Sequence, residues 1–234
     1  MMNNKLWLIW KDPKERRRYI IGELSEDSSN HYQFKYMNPE LDDALKVGFN
    51  YFPGFPNLKE TYQSDTLFAN IATRLPNPNR PDYLEILNTY GLDMNSSKMT
   101  ILKTTKGRLL TDNFEFVPIF EENKLEFEIA GISHYLDRKK LKKSLKINDN
   151  LELESENTNE KDQNAIKINY YKDNKKYQLG YVPRYYSKQL TKLLEEKVEY
   201  SAKIEKLNLD SPLNDEDVTV SVKLIFATSK ELKK

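Results

Sequence analysis

The sequence predicts an α+β protein of two small domains. The N-terminal one is a small antiparallel sheet with helices, and the C-terminal one is a β-barrel with two helices. Three observations predict this. The 234 residues suffice for two small domains, and the polar, turn-like Glu121-Glu122-Asn123-Lys124 marks a junction at about 117–124. The domains are therefore placed at 1–117 and 125–230. Short segments that alternate apolar and polar residues recur through both halves, as half-buried strands do. Finally, 15 tyrosines, 10 phenylalanines and 2 tryptophans offset a hydrophobic content of only 38% and a mean hydropathy of −0.78. Each large ring can bury roughly 150–250 Å².

In the first half, Lys5 to Trp10 is an apolar strand, followed by a turn at Lys11-Asp12-Pro13-Lys14. Arg18 to Leu24 is the second strand, and Ser25 to Asn30 is polar and turn-like. Tyr32-Gln33-Phe34-Lys35-Tyr36 alternates with period two. Pro39 to Ala44 suits a short helix. Tyr51-Phe52-Pro53-Gly54-Phe55-Pro56 reads as a loop with exposed or capping aromatics. Ser64-Asp65 is placed as the N-cap of a helix through Ala72. Pro81 then opens a helix from Asp82 to Tyr90, closed by Gly91. Met99 to Leu102 and Phe114 to Val117 are strand-like.

In the second half, Leu125 to Ile132 is an alternating strand and Lys139 to Leu145 suits a short helix. Asn150 to Glu156 alternates again. Ala165 to Tyr171 and Tyr177 to Val182 form a hairpin around Asp173-Asn174-Lys175-Lys176. Tyr186 to Glu196 is a helix with Leu190, Leu193 and Leu194 on one face. Lys197 to Leu207 and Val218 to Phe226 complete the sheet. Many short strands with two helices suit a small closed or partly open barrel.

Composition excludes several functions. With no cysteine there are no disulfides, thiolate nucleophiles or Cys-based metal sites, which fits a reducing cytoplasm. The apolar run Leu6 to Trp10 is too short for a signal-peptide core or a membrane span, so no membrane association is expected. His31 and His134 lie in different halves and do not form a metal site. There is no G-x-x-x-x-G-K-[ST], G-x-G-x-x-G or H-E-x-x-H, and only seven glycines. The expectation is a non-enzymatic protein with no catalytic residues, no metal and no cofactor. A net charge of +1 supplies no global field. Local charge does exist: Arg16-Arg17-Arg18, and six basic residues between Arg138 and Lys146. Each is either a solvated face or a surface that tracks phosphates.

Three motifs carry a resemblance. Gly131-Ile132-Ser133-His134-Tyr135 follows the first strand of the second half. Asn159-Glu160-Lys161-Asp162-Gln163-Asn164-Ala165-Ile166-Lys167-Ile168 comes about thirty residues later, and Leu179-Gly180-Tyr181-Val182-Pro183-Arg184 precedes the helix. This order and spacing resemble the HIRAN domain, a small OB/SH3-like β-barrel module found in DNA-repair helicases and as a stand-alone bacterial domain. The loop reads roughly N-x-x-D-x-N-A-I-x-V in that family, and Asn159, Asp162, Asn164, Ala165 and Ile166 match.

The resemblance implies binding of DNA, single-stranded or end-bearing, through His134, Tyr135, Asn159, Lys161, Asp162, Tyr181 and Arg184. A carboxylate cannot grip a phosphate but can accept a hydrogen bond from a sugar hydroxyl. The resemblance gives Asp162 that role toward a 3′-hydroxyl. Tyr181 and Arg184 fall at family nucleic-acid contacts, and Arg184 opens a helix, whose N-terminus favours phosphate. The same residues also have structural readings: Asx side chains shape turns, and His or Tyr near a strand end packs or is solvated. Lys161 is a departure, because some eukaryotic members carry a stacking aromatic there.

The first half resembles the N-terminal subdomain of HipA-type kinases, which is also encoded separately in some toxin–antitoxin operons. The landmarks are Gly22-Glu23-Leu24, Phe34-Lys35-Tyr36, and Leu67-Phe68-Ala69-Asn70 followed by Arg74-Leu75-Pro76-Asn77. That resemblance implies an alternative function: a protein-interaction or antitoxin-like module that restrains a kinase partner. Tyr51 to Phe55 and the helix 66–72 would be its contact surface.

Overall fold

In the computed structural model the chain divides into two units, Met1–Ile119 and Phe120–Lys234. The structure describes residues 4–38, 40–120, 123–135, 144–209 and 218–227. Arg138 to Lys143, and with them most of the second basic run and the short helix expected at 139–145, lie outside the described residues.

The first unit is built on an antiparallel sheet. Its strands are β1 (Asn4–Lys11), β2 (Arg18–Glu26), β3 (Tyr32–Tyr36), β4 (Thr61–Ser64) and β5 (Phe114–Pro118), in the order β4-β3-β2-β1-β5. The helices are α1 (Glu40–Lys46), α2 (Ala69–Ala72), α3 (Tyr83–Thr89) and α4 (Lys98–Thr105). One face buries Leu6, Leu8 and Trp10 of β1 with Ile21, Phe34 and Phe116, under Leu41 and Ala44 of α1. β1 is buried on both faces from Leu6 to Trp10, as its apolar run implies, while Tyr32 and Phe34 of β3 follow the alternation read from the sequence.

Three local expectations are corrected here. Met99 to Leu102 is helical, not a strand. The Ser97 hydroxyl accepts the Thr100 N–H as an N-cap, and the helix buries Met99, Ile101 and Leu102. Ser64-Asp65 does not cap α2. Ser64 ends β4, its hydroxyl accepts the Thr66 N–H, and the helix starts five residues later, at Ala69, without a side-chain cap. The loop Tyr51 to Pro56 does not expose its phenylalanines. Phe52 and Phe55 are 1% and 2% exposed, and only Tyr51 faces solvent. Gly54, at φ +92°, folds the segment back so that both rings stack 5.7 Å apart, with Phe55 4.4 Å from Phe34. The Tyr36 hydroxyl fastens it, accepting from the Phe52 N–H at 2.7 Å and donating to the Phe55 carbonyl at 2.6 Å. With Leu67 and Ile71 also buried, the apolar side chains expected to form a contact surface belong to the core, Tyr51 excepted.

The second unit contains β6 (Lys124–Glu128), α5 (Ile132–Tyr135), β7 (Leu151–Ser155), β8 (Ile166–Lys172), β9 (Lys175–Tyr181), α6 (Arg184–Glu195), β10 (Tyr200–Asn208) and β11 (Thr219–Phe226). The strand expected through Ile132 stops at Glu128; the chain turns at Gly131, φ +73°, into the short helix α5. Asp173 and Asn174, both at positive φ, make the two-residue hairpin between β8 and β9.

Two antiparallel three-stranded sheets, β10-β11-β6 and β7-β8-β9, close into a barrel. One seam is the pairing of Ala130, just after β6, with Tyr181 at the end of β9. The other is Asn150, just before β7, with Lys203 on β10, reinforced where the Leu153 N–H donates to the Tyr200 hydroxyl at 2.9 Å. The seams pair part of the edges that each sheet would otherwise leave open. Ile166, Ile168, Leu179, Ile204, Val220, Val222 and Leu224 fill the interior, and α6 adds Tyr186 and Leu190.

Candidate nucleic-acid interface

The Ala130–Tyr181 seam sets the position of two aromatic rings. The Ala130 and Tyr181 backbones exchange hydrogen bonds of 2.8 and 2.9 Å. Only glycine fits before Tyr181. A Cβ at Gly180 would stand 2.4 Å from the Ala130 carbonyl oxygen, and the backbone there has φ +147°. Past the seam, the turn at Gly131 returns the chain so that Tyr135 meets Tyr181 edge-to-face, centroids 5.8 Å apart at 72°. Tyr135 is 38% exposed and Tyr181 is half-buried. His134 is exposed; its N–H donates to the Gly131 carbonyl in the same turn.

The loop between β7 and β8 is shaped by its own Asx side chains. Asn159 Oδ1 accepts the N–H groups of Lys161 at 3.0 Å and Asp162 at 3.2 Å, and Asp162 Oδ1 accepts the Asn164 N–H at 3.0 Å. Backbone bonds from Glu156 to Ala165 (2.7 Å) and from Ala165 to Asp162 (2.9 Å) close it. The helix α6 holds it from the side: Arg184 Nη1 donates to the Lys161 carbonyl at 2.8 Å, and the Thr191 hydroxyl to the Asn164 carbonyl at 3.0 Å. Asn159 is thus an internal brace. Lys161 leaves its ammonium exposed, Arg184 is half-buried, and Asp162 holds the loop with one carboxylate oxygen.

One residue that sequence reasoning passed over ties these parts together. Glu156 Oε2 accepts from Asn159 Nδ2 at 2.8 Å and from the Tyr181 hydroxyl at 2.9 Å, while Oε1 pairs with Lys167 Nζ at 2.6 Å. The bond from Asn159, then that from Lys167, and in smaller part that from Tyr181, outweigh its partial burial. They hold the carboxyl at about 2, well below its ordinary 4.5. Burial, with Tyr135 and Glu156 alongside, pushes the Tyr181 phenol up to about 12, so at neutral pH it is a neutral donor. Strand register supports this arrangement. Lys167 pairs directly with Tyr181 across β8 and β9, so both side chains leave the same face.

The structure therefore brings Tyr135, Tyr181, Asn159, Lys161, Asp162 and Arg184 into one contiguous chain of contacts, while His134 is exposed in the turn that precedes Tyr135. Lys161, Lys167 and Arg184 are matched in number by Glu156, Glu160 and Asp162. The site offers ring faces, N–H donors and a carboxylate acceptor rather than a surplus of positive charge. Chemically, ring faces can stack, N–H donors can meet an anion, and a carboxylate can accept from a hydroxyl. Among the described residues, no group of acidic or histidine side chains is placed to hold a metal ion, and no helix is long and apolar enough to cross a membrane.

Comparison with known proteins agrees with the motifs. Residues 123–223 match the family model of the HIRAN domain. The chain is similar to the crystal structure of the HIRAN domain of human HLTF, at 17% identity and a TM-score of 0.36, over 47% of this chain and 81% of that one. It is also similar to a protein from Lactobacillus plantarum, at 17% identity and a TM-score of 0.35, over 45% of this chain and 91% of that one. No curated protein matches the chain.

Proposed function

We propose that residues 123–223 bind DNA as a HIRAN-type module, with a preference for single strands or strand ends, and carry out no chemistry of their own. One observation carries the reading: an exposed tyrosine packed on a second tyrosine, beside a loop that Arg184 holds and that presents Lys161 and Asp162. In this reading Tyr135 and Tyr181 form a stacking platform worth roughly 1–3 kcal/mol per base. Lys161 and Arg184 contact phosphate, and Asp162 accepts from a terminal 3′-hydroxyl. Asn159 and Glu156 position rather than contact. Lys161, where a stacking ring stands in some family members, exchanges stacking for charge. The balanced local charge implies that stacking and hydrogen bonding contribute more to affinity here than counterion release.

Fluorescence-anisotropy titration at two salt concentrations tests this, with single-stranded, duplex and 3′-blocked oligonucleotides. The expected order is single strand above duplex, with a penalty for the blocked end that Asp162→Ala abolishes. Absence of binding to all three below about 100 μM, the weak end of non-specific affinity, would refute the proposal.

A further inference from the structure

The first unit carries a cluster of cations that the reading above leaves unused. The turn between β1 and β2 is rigidly built. The buried Asp12 carboxylate accepts the N–H groups of Lys14 at 3.1 Å and Glu15 at 3.0 Å, and its backbone pairs with Arg16 and Arg17. Arg17 lies 5.2 Å over the Tyr19 ring. Arg18 donates through Nε to Glu115 at 2.9 Å, and Arg108 reaches the same carboxylate through Nε at 2.8 Å and Nη2 at 2.6 Å.

The burial is asymmetric. Glu115 is only 6% exposed, whereas the Arg18 and Arg108 side chains are 34% and 45% exposed. The carboxylate lies beneath and the guanidinium groups above it. Although burial opposes its ionisation, Arg108, Arg18 and Lys106 together hold Glu115 at about 2, so it stays ionised and the guanidinium groups stay fixed. Lys14 and Arg16 are also exposed. Segments 12–18 and 106–115 carry six cations, Lys14, Arg16, Arg17, Arg18, Lys106 and Arg108, and four carboxylates, of which Asp12 and Glu115 are buried, Asp112 pairs with Arg74 and Glu15 is exposed.

Backbone geometry adds an independent observation. Arg16 and Lys106 both sit in the left-handed region, at φ 62° and 59°. Long side chains are disfavoured there, and Gly or Asn is the residue that suits. This chain places a cation at each.

We propose that this Arg18–Glu115–Arg108 cluster, with Arg16 and Lys106, is a second nucleic-acid contact that grips the phosphodiester backbone independently of sequence. A buried carboxylate that holds two guanidinium groups presents N–H donors already oriented, in the planar geometry that suits phosphate oxygens. The choice of a nucleic acid over other polyanions rests on the DNA-binding reading of residues 123–223.

The test uses the full chain and the double variant Arg16→Asn/Lys106→Asn, which removes two charges at positions whose backbone favours asparagine. Binding of a single-stranded 30-mer is followed by anisotropy across a salt series. The variant is expected to bind about tenfold more weakly at low salt, with the slope of log K against log salt reduced by about 0.7 for each lost phosphate contact. Lys14→Glu, an exposed substitution, should weaken binding in the same sense and serves where the double variant does not fold. Binding by the wild type with affinity and slope unchanged in the variants overturns the second contact and leaves the first reading intact. No binding by the wild type overturns that first reading, and the second contact with it. Vesicles of phosphatidylcholine with phosphatidylserine supply the remaining arm, because Leu109 and the fully exposed Leu110 follow Arg108. Vesicle binding that the variants lose, with oligonucleotide affinity unchanged, would assign the patch to a lipid surface and overturn the proposal.

Discussion

Replacing Glu156 by glutamine should loosen the second unit in a way that depends on pH. Three bonds converge on this carboxylate, from Asn159, Tyr181 and Lys167, at 2.6 to 2.9 Å. Glutamine can still accept from Asn159 and Tyr181 but cannot pair with the Lys167 ammonium. The wild-type carboxyl falls from 4.5 to about 2. At about 1.36 kcal/mol per unit this sets an upper bound near 3 kcal/mol, and with the side chain 20% exposed, solvent screening lowers it to about 1–2 kcal/mol. The sign follows from linkage. A carboxyl whose folded pKa is depressed contributes its stability fully above the unfolded value, here 4.5, and loses it as pH falls toward 2. The variant should therefore be about 1–2 kcal/mol less stable than wild type at pH 7, with the difference shrinking below pH 4.5 and falling to roughly a few tenths of a kcal/mol by pH 2. Glu115 titrates in the same window, but its contribution is common to both proteins and cancels in the difference. Urea unfolding followed by far-UV circular dichroism measures the effect. Tryptophan emission supplies the control: Trp7 and Trp10 are the two tryptophans, both in the first unit, so the emission transition should not move. An undiminished difference at pH 2, or none at pH 7, would refute the role assigned to Glu156.

The remaining predictions concern the seam, the platform and the first core. Gly180→Ala should destabilise the second unit by about 3 kcal/mol or more, because the added Cβ meets the Ala130 carbonyl at 2.4 Å; a lowered circular-dichroism melting transition checks it. Tyr181→Phe keeps the ring and loses the hydroxyl on Glu156. It should cost about 1 kcal/mol of stability with oligonucleotide affinity nearly unchanged, whereas Tyr181→Ala should lower affinity by about 1–3 kcal/mol in the same anisotropy assay. In the first unit, Arg74 is buried between the rings of Phe52 and Phe114 and paired with Asp112. Asp112→Ala should cost about 3–5 kcal/mol by leaving that guanidinium uncompensated, read as a shift of the tryptophan-detected urea midpoint.

Much of this architecture was legible in the residues. Tyr32 to Tyr36 and Val218 to Phe226 alternate cleanly because one face of each strand meets a core, and period two records that directly. Local signals failed where tertiary contacts outweighed them. Met99 to Leu102 is strand-like in composition, yet the Ser97 cap and the burial of Met99 and Leu102, three residues apart, make it helical. Phe52 and Phe55 stand among prolines and a glycine, as a surface loop would, yet the Tyr36 hydroxyl folds them into the core. β4 is four residues long and mostly polar, so only its pairing with β3 identifies it.

By itself the sequence determined that this is an aromatic-rich, cysteine-free α+β chain whose second half carries the HIRAN motifs in order. Motif spacing survives in sequence because the Asx turns of the loop and the glycine of the seam are local demands on individual positions. The tertiary structure alone decided how those motifs meet. Barrel closure at Ala130 and Tyr181 sets Tyr135 against Tyr181, and the Glu156 carboxylate gathers Asn159, Lys167 and Tyr181, residues 3, 11 and 25 positions away. Such convergence leaves no periodic trace, because it depends on strand register and chain closure rather than on the spacing of neighbours along the chain.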